Sequence, residues 1–139
     1  SFYAGEAFTR ASVGYVHAIA HSLGGYYGTA HGLANAILLP KVLRWYGPAV
    51  EDKLATLAEH CQIGVNKTSS AAKAQAFIAA IEALNQQMAI PAGLGELDPK
   101  DIPSLAKQAL KEAHPEYPVP KFMDLNSCEK LLGSLLIAK

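Results

Sequence analysis

Apolar residues in this chain return every three or four positions, the spacing that lines them along one face of an α-helix. Val50, Leu54, Leu57 and Cys61 make one such stripe, and Ala74, Phe77, Ile81, Leu84 and Met88 make a longer one. Alternating apolar and polar runs rich in β-branched residues, which would mark half-buried strands, are missing. The pattern predicts an all-α bundle of roughly six helices.

Glycine, proline and capping residues divide the bundle. The spacing predicts a first helix over 2–10, bent near Gly14 and continuing to about residue 22. A glycine-rich turn is predicted over 23–29, with Thr29 as N-cap of a helix over 30–46 that Pro40 kinks. Gly47-Pro48 ends that helix, 64–68 forms a loop, and Ser69 or Ser70 caps the helix carrying the longer stripe. A connection follows over 91–99, then a helix over 104–113 and a proline-rich irregular segment over 115–120. Asn126 with Glu129 three residues later reads as a capping box for a last helix reaching about residue 137.

Composition narrows the function classes. A chain of 139 residues suits a single domain, and no apolar run approaches the roughly 20 residues of a membrane span. Twelve basic residues balance twelve acidic ones, so no nucleic-acid or anionic-membrane surface is expected. Cys61 and Cys128 fall at apolar-periodic positions and form no Cys-x-x-Cys pair. They are expected to be buried free thiols in a reducing, cytoplasmic compartment, with a disulfide as the second reading. The chain opens without Met on residues that look like the middle of a helix and lack a basic leader. A piece of a longer polypeptide is expected.

Candidate chemistry concentrates in one stretch. Three of the five histidines, His17, His21 and His31, lie between Gly14 and Pro40 among glycines and alanines. On a helix His17 and His21 share a face, one turn apart. They admit three readings: ordinary surface or core residues, a shared metal, or one ligand beside a proton-handling neighbour. The Glu that follows the first His in zinc proteases is absent. His31 and the small residues around it favour a metal or catalytic site. His60 and His114 read as surface or helix-end residues, Trp45 and Tyr46 as packing groups, and Lys100, Lys107 and Lys111 as a solvated face.

The stretch Gly-Tyr-Val-His-Ala-Ile-Ala-His-Ser-Leu-Gly-Gly-Tyr-Tyr, followed by His31-Gly32-Leu33-Ala34-Asn35-Ala36-Ile37-Leu38-Leu39-Pro40, closely resembles the signature of the iron-containing (group III) alcohol dehydrogenase family. More loosely, the whole chain is similar to that family's C-terminal helical domain, which belongs to the dehydroquinate synthase-like fold. The resemblance implies a reversible, NAD- or NADP-linked hydride transfer between a small alcohol and its aldehyde or ketone. It also implies a divalent metal, Fe(2+) or alternatively Zn(2+), held by one Asp and three His. His17 and His31 match the last two of those histidines. His21 matches the catalytic histidine beside the nicotinamide and substrate, and Phe8 an aromatic of the substrate pocket, with interhelical packing as its other reading. The family's Asp-x-x-x-His helix has no counterpart here, since none of Asp52, Asp98, Asp101 and Asp124 has a His four residues later.

Residues 1–139 are thus expected to form a single helical domain without the family's N-terminal α/β nucleotide-binding domain, and the intact protein a homo-oligomer. The alternative is an isolated non-catalytic domain that binds metal weakly and self-associates through a normally covered face. Maleylacetate reductases, a sister branch, tend to carry His-Ala-Glu-Thr-His where this chain has His31-Gly32-Leu33-Ala34-Asn35, so the chain sides with the alcohol dehydrogenases. Many members have Asn-Pro-Arg before their final helix where this chain reads His114-Pro115-Glu116-Tyr117-Pro118, so the tail's edge of the pocket is not carried over.

Overall fold

A computed structural model describes residues 2–137. Seven α-helices follow one another: α1 (Phe2–Ala11), α2 (Tyr15–Tyr27), α3 (His31–Tyr46), α4 (Glu51–His60), α5 (Ser70–Gln87), α6 (Ile102–Ala113) and α7 (Leu125–Gly133). Short 3-10 turns at Gly47–Val50 and Pro99–Asp101 lead into α4 and α6. The described residues contain no named strand, only an isolated parallel bridge between Leu94 and Leu136.

The site-bearing helix α2 shows why the bundle forms. Its buried residues include Tyr15, Ala18, Ile19, Ser22 and Leu23, the three- and four-residue steps of one helical face. That face packs on α6, which buries Ile102, Leu105, Ala106, Ala109 and Ala113, and on α3, which buries Ala34, Ile37, Leu38 and Val42. Leu23, Leu38, Leu105 and Leu132 are fully enclosed. Each such side chain contributes about 1.5–3 kcal/mol relative to exposure. Ser22 is the polar member of the α2 face, and its hydroxyl donates to the Ala18 carbonyl at 3.2 Å, which spares the core an unpaired group.

Several expectations are corrected. Helix α2 does not end at a glycine turn but runs through Gly24 and Gly25 to Tyr27. Tertiary packing outweighs the roughly 1 kcal/mol that each glycine costs a helix. The stop comes at Gly28, whose φ of 68° lies in the left-handed region that glycine adopts without steric cost, and its N–H donates to the Gly24 carbonyl at 2.9 Å. Thr29 does not cap α3, because its hydroxyl donates to Glu96 at 3.1 Å instead. A break in the helix at Ser12, φ 62°, separates α1 from α2 where a bent continuous helix was expected.

Ser69 does cap α5, accepting the Ala72 N–H at 3.2 Å. The stripes on α4 and α5 are shifted, however. Leu57, Leu84 and Met88 are exposed, while Leu54, Ala55 and Ala58 line the inner side of α4, and Ala74 and Ile78 that of α5. Because Leu57 faces outward, Cys61 one turn later is exposed rather than buried, whereas Cys128 is buried as expected. Both thiols are free.

The last helix is capped by Asp124, which accepts the Ser127 N–H at 2.7 Å, not by Asn126. It ends at Gly133 rather than near 137, since the chain turns there so that Leu135 can accept the Leu94 N–H at 2.8 Å.

Candidate metal centre

The α2–α3 corner brings the three histidines together. His17 and His21 project from the same face of α2, and His31 is the first residue of α3. Their ring centroids lie 6.0 Å apart for His17–His21, 5.3 Å for His17–His31 and 5.4 Å for His21–His31, the last pair stacked. The corner is anchored from behind. Tyr27 donates its hydroxyl to Asp101 at 2.7 Å and accepts the Asp98 N–H at 3.2 Å, and Thr29 reaches Glu96. These bonds tie the α2–α3 turn to the segment leading into α6, so the relative position of His17 and His31 is built into the bundle.

His17 and His31 line a cleft of about 590 Å³, together with Phe8, Asn35, Leu39 and Tyr46. Its apolar lining and few polar groups suit a small organic ligand. Phe8 stands on its wall as an exposed ring, and no residue of α1 is buried. Burial pushes the His17 imidazole below its ordinary pKa; the nearby His31 and His21 add to the shift and Glu112 opposes it. The neutral form that results near pH 7 is the form a metal binds.

Asn35, one turn after His31, fixes that ring. Its amide nitrogen donates to the His31 carbonyl at 2.8 Å and meets Nε2 at 3.1 Å. Turning the amide over would set two oxygens against each other, so Nε2 of His31 is the acceptor of the Asn35 amide in this structure. The Asn35 Oδ1 is buried without a hydrogen-bond partner.

His21 is oriented differently. Its Nδ1 lies 2.7 Å from Oε1 of Glu112 on α6, and the same oxygen accepts the Tyr117 hydroxyl at 2.8 Å. Neither Glu112 nor Tyr117 carries a motif, and 91 residues separate Glu112 from His21, so no sequence spacing could have found the pair. His114 caps α6, as a helix-end residue should, but it also bonds Tyr15 at 2.6 Å and stacks on Phe122. Trp45 and Tyr46 pack around Tyr15, as expected. Among the described residues, no group of three or more His, Cys, Asp or Glu side chains is set to hold a metal ion.

A profile of the Fe-containing alcohol dehydrogenase family, C-terminal, matches residues 1–136. The chain belongs to the iron-containing alcohol dehydrogenase family. It is 43% identical over 116 residues to the 1,3-propanediol dehydrogenase of Klebsiella pneumoniae, an alignment covering 82% of this chain and 30% of that one. To the lactaldehyde reductase of Escherichia coli it is 37% identical over 113 residues, 80% of this chain and 30% of the relative. The solved alcohol dehydrogenase from Oenococcus oeni superposes with a TM-score of 0.86 at 30% identity, covering 95% of this chain and 35% of the other. The chain therefore spans about a third of the length of the relatives it matches. In this family's helical domain, two facing imidazoles on a cleft are a donor set compatible with part of a divalent metal's coordination.

Proposed function

We propose that the chain is the metal-binding part of an NAD(P)-linked alcohol dehydrogenase, with a preceding nucleotide-binding domain completing the site. The observation that carries this reading is the convergence of His17, His21 and His31 from two helices, with His17 and His31 on one cleft. His17 and His31 would hold the metal, Fe(2+) or Zn(2+), through neutral imidazole nitrogens. When bound, such an ion supplies Lewis-acid polarisation of the alcohol or carbonyl oxygen.

The rest of the chemistry falls to this chain's side chains. His21, an exposed ring beside His17 and His31, takes the alcohol proton and passes it to solvent. Phe8 and Leu39 provide apolar walls that exclude water from the reacting carbon. Helix α1, with no buried residue and with Phe2, Tyr3 and Phe8 exposed, fits a surface that another domain covers. Two free thiols fit a reducing, cytoplasmic setting.

Metal analysis and turnover of the full-length protein test the roles. His17→Ala and His31→Ala are expected to lose the metal, whereas His21→Ala keeps it and loses at least about 100-fold in kcat. A His21→Ala protein without metal, or a metal-replete His17→Ala protein, overturns the assignment. For the 139-residue chain by itself, the lack of a three-ligand group among the described residues favours weak binding only. Stoichiometric, tightly held metal in that chain would refute this second reading.

A further inference from the structure

Glu112 and Tyr117 lie outside the proposed ligand set and outside every motif, yet both converge on His21. We propose that Glu112 is a positioning residue that locks His21 in the tautomer with hydrogen on Nδ1, and that Tyr117 holds Glu112 in place. The proposal rests on the reading of His21 as the proton-handling group and adds the residue that sets its orientation.

The chemistry of the contact decides the tautomer. A carboxylate can only accept, so the ring nitrogen 2.7 Å from Oε1 must carry the hydrogen. A neutral imidazole carries one, which leaves Nε2 as a bare lone pair on the far side of the ring. No hydrogen bond within the described residues engages that nitrogen. His21 therefore offers a proton acceptor on the ring edge that faces away from α6.

Tyr117 supports the arrangement without competing for the charge. Its hydroxyl donates to the same Oε1 at 2.8 Å, and this bond raises the phenol above its ordinary pKa, so it stays a donor. The three residues come from α2, α6 and the segment after α6, and α2 packs along α6. Packing thus preorganises the contact, as it does for oriented histidines in other sites.

Nitrogen-15 NMR of the histidine rings in the metal-free 139-residue chain reads the tautomer directly. His21 is expected to show hydrogen on Nδ1 and a bare Nε2. In Glu112→Gln, loss of a bond to a charged acceptor should cut the ratio of Nδ1–H to Nε2–H tautomers about tenfold or more. Tyr117→Phe should cut it by a smaller factor. Hydrogen on Nε2 in the wild type, or a ratio unmoved by both substitutions, overturns the proposal.

In the full-length enzyme, Glu112→Gln is expected to lower kcat about tenfold with KM little changed, and to cost nothing further in a His21→Ala background. A tenfold loss that persists in that background overturns action through His21. If His21→Ala leaves kcat intact, the proton-handling reading falls, while the tautomer ratio still decides the positioning claim.

Discussion

Replacing Tyr15 by Phe removes one oxygen from a fully buried ring and leaves the ring in place. That oxygen accepts the Met123 N–H at 2.9 Å and donates to Nε2 of His114 at 2.6 Å. Burial raises the Tyr15 phenol above its ordinary pKa, against the pull of the Met123 amide, so the hydroxyl keeps its proton and remains a donor. In Tyr15→Phe the buried Met123 amide has no acceptor, which costs about 1–3 kcal/mol. The lost bond to half-buried His114 adds about 0.5–1.5 kcal/mol. Together the substitution should cost about 1.5–4.5 kcal/mol. For a domain of this size that lowers Tm by roughly 5–17 °C.

Urea and thermal unfolding followed by circular dichroism measure the cost, and hydrogen exchange locates it. The Met123 amide should lose protection, because Tyr15 is what ties the segment after α6 to the start of α2. The same helix presents His17 two residues later, so the loosened tail should also broaden the His17 ring signals. A change below about 0.5 kcal/mol, the range of ordinary surface substitutions, together with an unchanged Met123 exchange rate, would refute the reasoning.

Gly93→Ala tests the close approach at the bundle's edge: its Cβ would sit 2.1 Å from the Leu135 carbonyl oxygen, a backbone atom that cannot step aside without breaking the Leu94–Leu135 bond. The expected loss is about 1–3 kcal/mol or more, read by urea unfolding, and a variant as stable as the wild type would sink the claim. Acid titration tests the α3–α5 clamp, in which Arg44 donates twice to Glu82, at 2.9 and 2.7 Å. The Arg44 bond lowers the Glu82 pKa below 4.5, so its contribution is present above the unfolded value and lost as pH falls through the folded one. Glu82→Gln should therefore flatten the fall in stability between about pH 5 and about pH 3, modestly because both side chains are partly exposed; parallel curves would contradict the coupling.

Much of the architecture was legible because helices are local. The 3.6-residue period is written in consecutive residues, so the all-α class followed from the pattern, and the bounds of α3 and α6 came within a residue or two. Ser69 capped α5 for the same reason: a serine hydroxyl and the N–H three residues later meet whatever lies beyond. Errors arose where two local solutions were close in energy and packing chose between them. Gly24-Gly25 looked like a turn, but the contacts of α2 with α3 and α6 carry the helix across it. Leu57 and Leu84 completed plausible stripes, yet their faces are not the ones that α4 and α5 bury.

The candidate site divides along the same line. By itself the sequence determined that the chain is helical, that it carries the signature of the iron-containing alcohol dehydrogenases, and that His17, His21 and His31 are the residues to examine. Each of these is held in short spacings that survive without a fold. Only the tertiary structure decided that the three ring centroids gather within 6.0 Å of one another, that Phe8 lines the cleft of His17 and His31, and that Glu112 bonds both His21 and Tyr117. The last of these relations joins α2 to residues 91 and more positions away, and the free energy that sets it is the burial of the α2 face against α6.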